Sequence, residues 1–93
     1  MKYIIKDVEI TGTQDSPQTI AYTDMTDVDG VTLPTTFSAT PWIGYTGKQA
    51  DCDINIVASS KTTTNFKMAM SDLPGSMAIT SVCADFIIIG TSA

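Results

Sequence analysis

Asp51-Cys52-Asp53-Ile54-Asn55-Ile56-Val57-Ala58 sets Cys52, Ile54, Ile56 and Ala58 on one side and Asp51, Asp53, Asn55 and Val57 on the other. A period of two is that of a β-strand with one buried and one wet face. Asn65 to Met70 repeats the pattern, with Phe66, Met68 and Met70 inward. Between them Ser59 to Thr64 is a polar connection ending in Thr62-Thr63-Thr64. The two segments read as two strands joined by that connection.

The same reading extends outward. Lys2 to Ile10 reads as a strand with Ile4, Val8 and Ile10 on one face and Lys6 interrupting it. Gly12 to Pro17 reads as a turn, and Gln18 to Thr23 as a short strand carrying Ile20 and Tyr22. Asp24 to Gly30 is an acidic loop. Val31 to Phe37 is extended, though Pro34 lacks a ladder donor and suits an edge or a bulge. Pro41 to Thr46 is a further strand, with Ile43 and Tyr45 on one side and Trp42, Gly44 and Thr46 on the other. Gly47 to Ala50 and Leu73-Pro74-Gly75-Ser76 read as turns. Val82 to Ile89 closes the chain.

That last strand is unlike the others. Val82, Ala84, Phe86 and Ile88 form one face, while Ile87 and Ile89 make the other face apolar too. The second face is covered either by the chain's own loops or by another subunit, and the subunit is favoured because a small domain gains burial by oligomerising. An apolar strand left in solvent would invite aggregation. Ile87, Ile89 and the outward-facing Trp42 are therefore the candidate interface residues. Trp42 also serves as a candidate ligand platform, since aromatic side chains with a polar tip are common at binding surfaces.

Composition agrees with a small all-β domain. The 93 residues fit one domain, residues 1–93. Threonine is abundant, while the chain has one Glu, two Leu and no Arg, so helix formers are few. Seven or so short strands with turn signals between them suggest an all-β antiparallel sandwich or barrel.

Charge and residue types exclude several functions. The net charge is −5 and the five Lys are scattered, which argues against nucleic acid and against anionic membranes. No apolar run reaches the roughly 18 residues of a membrane helix. Charge interrupts Met1 to Asp7 too early for a signal peptide, so synthesis in the cytoplasm is expected. The absence of His removes catalytic triads and imidazole ligands, and phosphate-binding glycine motifs are missing. Asp51 and Asp53 share a face, and Asp24, Asp27 and Asp29 precede Gly30. Both sets read as solvated carboxylates rather than as an acid–base pair or a calcium loop, which wants a distant Glu. Cys52 and Cys83 read as thiols in apolar strands, a cross-strand disulfide being the other possibility. No enzyme activity, cofactor or metal is expected.

Taken together, several strings resemble a known family. Phe37-Ser38-Ala39-Thr40-Pro41-Trp42-Ile43 resembles the Phe-x-x-x-Pro-x-Val core of H-type lectin domains. Asp53 to Val57 followed by Thr62 to Met68 resembles that family's central strand pair, joined by a threonine-rich link. Ala84 to Gly90 resembles the closing strand of related phage tail-fibre C-terminal domains. The likeness spans Val31 to Gly90.

The resemblance implies a six-stranded sandwich that assembles as a trimer and either recognises carbohydrate or caps a viral fibre. It does not carry the family's sugar site. The position of the lectin Arg falls near Asp53, and that of the Trp-His pair reads Asp72-Leu73-Pro74. One of Asp24, Asp27 or Asp29 corresponds loosely to an Asp upstream of the Phe-x-x-x-Pro string. The expectation is a structural virion protein of a tailed phage, trimeric and bound to other virion proteins. A tail-fibre or tail-tip component is favoured over a capsid decoration protein. The alternative is a carbohydrate-binding module for cell-surface glycans, using Trp42 and Asp53.

Overall fold

The computed structural model describes residues 1–11, 16–47, 52–72 and 81–93, with the side chains at 11, 52–54, 70–72 and 81–82 outside the description. The turns expected at Gly12–Pro17, Gly47–Ala50 and Leu73–Ser76 fall wholly or largely outside the described residues.

The fold is all-β. Among the described residues the strands are β1 (Lys2–Thr11), β2 (Gln18–Ala21), β3 (Trp42–Gly47), β4 (Cys52–Ile56), β5 (Asn65–Asp72) and β6 (Ser81–Ile89). They form two three-stranded antiparallel sheets, ordered β1-β6-β3 and β2-β5-β4. The closing strand β6 is thus the centre of one sheet, and the alternating strand β5 the centre of the other. Among the described residues no helix is long and apolar enough to cross a membrane.

Central strands need inward apolar side chains on every second residue. In β6 these are Ala84, Phe86 and Ile88, and in β5 Phe66 and Met68, all buried. The inner faces share one core with Tyr3, Ile5, Ile10 and Ile43. Phe66 and Phe86 meet edge-on across the sheets, their ring centroids 5.7 Å apart. Such pairs contribute about 0.5–1.5 kcal/mol beyond area burial.

Two expectations about the strands are corrected. The first concerns β1, where Tyr3 and Ile5 point inward and Ile4 outward. Ile5 lies opposite Phe86 but Val8 lies opposite Ala84, so Lys6 and Asp7 together face Asp85. This bulge, with Asp7 at φ 60°, flips the alternation and returns Val8 and Ile10 to the core side. Ile4 therefore does not share a face with Val8 and Ile10. The charged pair Lys6-Asp7 occupies the flip because both side chains remain exposed there.

The second concerns Val31 to Phe37, which belongs to no strand. Its isolated bridges, Thr26–Thr32 and Phe37–Ser92, lie outside the six strands. Its role is to drop Leu33 and Phe37 into the core from outside the sheets. Phe37 packs edge-on against Tyr22 at 4.9 Å and against Tyr3 at 6.2 Å. Gly90 permits this approach, since a Cβ there would lie 2.7 Å from the Phe37 ring.

The threonine link anchors three segments at once. Thr62 Oγ1 accepts the N–H groups of Thr64 and Asn65, turning the chain into β5. The Thr63 carbonyl accepts Phe37 N–H, and the Thr64 carbonyl accepts Tyr22 N–H. The buried Tyr22 ends β2 in a 3-10 turn, and its hydroxyl donates to the Thr62 carbonyl at 2.8 Å. Burial pushes the Tyr22 phenol from 10.0 up to about 12.

Candidate interface on the outer face of the first sheet

The outer face of β1-β6-β3 follows directly from the register. Residues opposite one another on neighbouring antiparallel strands present side chains to the same face. Lys2, Ile89 and Trp42 make one row across the sheet, and Ile4, Ile87 and Gly44 the next. Asp85 and Thr46 continue the third row, with Lys6 and Asp7 of the bulge beside them.

The first two rows form an apolar plateau in solvent. Trp42 is 59% exposed, Ile89 44%, Ile87 41% and Ile4 37%. Single exposed apolar side chains are normal, but four in two adjacent rows are the kind of patch that marks a contact surface. The contrast within β6 is sharp, since Ile88, between the two exposed isoleucines, has no accessible surface.

Trp42 is held by its neighbour two residues on. Its six-membered ring lies over Gly44, where a Cβ would come within 2.6 Å of the ring. The ring therefore lies along the sheet rather than standing away from it. Beside it runs an open groove of about 470 Å³, lined by residues that include Ile4, Lys6, Gly44, Thr46, Asp85 and Ile87. Asp85 is fixed at the groove by the backbone of the bulge, accepting Asp7 N–H at 3.0 Å.

The sequence-derived candidates divide between the sheets. Trp42, Ile87 and Ile89 come together on this plateau. Asp53 belongs to β4, opposite Ser71 in the other sheet, and its side chain lies outside the described residues. Asp51, Cys52 and the site Asp72-Leu73-Pro74 are likewise outside them, in whole or in their side chains. Cys83 is half-buried and has no disulfide partner among the described residues.

Ile4 was hidden from sequence reading by the bulge. The signal for it was the pair of adjacent charges at Lys6 and Asp7, which no continuous two-residue alternation accommodates.

The acidic loop is organised by hydrogen bonds to its own backbone. Asp27 Oδ1 accepts the N–H groups of Asp29 and Val31, both at 2.9 Å. Among the described residues no group of three or more His, Cys, Asp or Glu side chains is placed to hold a metal ion.

Comparison with protein-family models, with curated proteins and with solved structures gives no match.

Proposed function

We propose that this chain is a non-enzymatic structural protein of a tailed-phage virion, built as a homotrimer of β-sandwiches related to H-type lectin domains. Its subunits meet through the outer face of β1-β6-β3. The observation that carries the assembly reading is the plateau of Ile4, Trp42, Ile87 and Ile89 on two adjacent rows. Aliphatic side chains offer a partner area but no directional contacts, so a complementary protein surface suits them better than a polar ligand does. Self-association also answers the small size of the domain, which buries only about 60–65% of its unfolded surface alone.

The virion assignment, and the trimer as the number of copies, rest on the resemblance of Phe37 to Ile43, Thr62 to Met68 and Ala84 to Gly90 to lectin-like and tail-fibre strands. A tail-fibre or tail-tip position is preferred to capsid decoration. The mature protein is then found in the virion, in contact with other virion proteins.

Light scattering or sedimentation at micromolar concentration tests the assembly. A trimer is expected, and a monomer overturns the reading. Attachment to purified tails or capsids separates the two particle positions, and attachment to neither overturns the virion role.

A second reading is favoured by one observation, the exposed Trp42 ring lying along the sheet. Such a ring can stack on a sugar, as in a carbohydrate-binding module for cell-surface glycans. Binding on a glycan array that Trp42→Ala or Asp53→Ala abolishes supports this reading, and an array without signal removes it.

A further inference from the structure

The plateau has ordered charges at its two ends. Along the outer side of β1 come Lys2, Ile4, Lys6, then Asp7 of the bulge and Glu9, all exposed. Asp85 on β6 lies beside the bulge. Among the described residues Lys2 thus stands at one end of the face and Glu9 at the other, with Lys6 beside Asp7 and Asp85 between them. Lys2 and Glu9 are separated by about 20 Å at the rise of a β-strand.

We infer that the occupant of this face is a second copy of the chain, seated so that the Lys2 end of one copy lies against the Glu9 end of the next. The inference rests on the assembly reading above and adds to it the orientation of the contact and the residues that set it. A uniform apolar patch would accept a neighbour in any rotation. Ordered charges do not, because like ends brought together raise the energy by repulsion and desolvation. The net charge of −5 sharpens this requirement, since two copies repel as whole bodies. A contact that places the cationic end of one copy on the anionic end of the next opposes that repulsion locally. The rule holds for a closed ring, where each copy gives its Lys2 end to one neighbour and its Glu9 end to the other.

Lys2 and Glu9 are both exposed, so reversing either charge leaves the core untouched. The test compares self-association of the wild-type chain, Lys2→Glu, Glu9→Lys and the double variant by sedimentation at low and high salt. Each single reversal is expected to weaken association at least about tenfold at low salt, with the loss shrinking at high salt. The double variant restores the pairing with its signs exchanged and is expected to recover most of the wild-type affinity. A wild-type chain that stays monomeric overturns both the assembly reading and this inference. Assembly that either single reversal leaves unchanged, or that the double variant fails to recover, overturns the inference and leaves the assembly reading standing.

Discussion

Asp7 donates its backbone N–H to the carboxylate of Asp85 at 3.0 Å, across the bulge where two residues of β1 face one of β6. The bulge decides which residues of β1 are core and which are surface. Before it Tyr3 and Ile5 are buried, and after it Ile10 is. Asp7 makes the bend at φ 60°, a conformation that Asp and Asn tolerate and β-branched residues resist. Asp7→Asn and Asp7→Val both remove the charge, but only the second adds a branched Cβ. Asp7→Val is expected to be less stable than Asp7→Asn by about 1–2 kcal/mol in urea unfolding. Equal stabilities would mean that the backbone there relaxes without cost.

Tyr22 gives the fold a pH dependence of known sign. Its folded-state pKa is raised from 10.0 to about 12, because burial disfavours the phenolate. The neutral form is the one that folds, so its stabilisation is complete below pH 10. It is lost as pH rises from 10 towards 12, a change on the order of 2–3 kcal/mol. Tyr22→Phe removes the hydrogen bond to the Thr62 carbonyl and costs about 1 kcal/mol at neutral pH. It also removes the titration. The wild type is therefore expected to be the more stable chain at pH 7 and the less stable one near pH 12. Unfolding curves for both proteins across that range check the crossover. A constant gap would show that Tyr22 ionises as freely in the folded chain as in the unfolded one.

The all-β class was legible because alternation survives wherever a strand is straight. β5 and β6 carry Phe66, Met68, Ala84, Phe86 and Ile88 at strict two-residue spacing, and all five are buried. Ile4 was misplaced because the bulge adds a residue without adding a partner, which alternation alone does not record. Val31 to Phe37 was read as extended, yet its contribution is two side chains, Leu33 and Phe37, delivered to the core without a ladder. That distinction depends on tertiary hydrogen bonds such as Phe37 N–H to the Thr63 carbonyl. The outward direction of Trp42 was legible, but not the reason for its posture, the absence of a Cβ at Gly44.

Ile87 and Ile88 are adjacent in sequence and opposite in consequence. Ile88 is fully buried, and Ile88→Ala leaves a cavity expected to cost about 2–5 kcal/mol. Ile87 is 41% exposed on the plateau, and Ile87→Asp places its charge in water in the isolated chain. The expected outcome is a folded domain with a β-type circular dichroism spectrum that no longer self-associates. Ile89→Asp is expected to behave likewise. Unfolding midpoints must be compared in dilute samples, where the proposed self-association would not contribute. If Ile87→Asp assembles like the wild type, the contact between copies lies elsewhere.

Trp42 is the only tryptophan, so its fluorescence reports on the plateau alone. In Gly44→Ala the new methyl group would meet the Trp42 ring at 2.6 Å, and the ring end of the side chain is what yields. The fold should lose no more than about 0.5–1 kcal/mol, since the clash is with a movable surface side chain. The ring, however, should leave the sheet, becoming more accessible to acrylamide quenching in the monomer. Association should weaken with it, because a ring standing away from the sheet breaks the flat surface shared with Ile87 and Ile89. Quenching equal to the wild type would show that the ring does not rest on Gly44 in solution. Increased quenching with undiminished association would show instead that the posture of Trp42 is not what a second copy packs against.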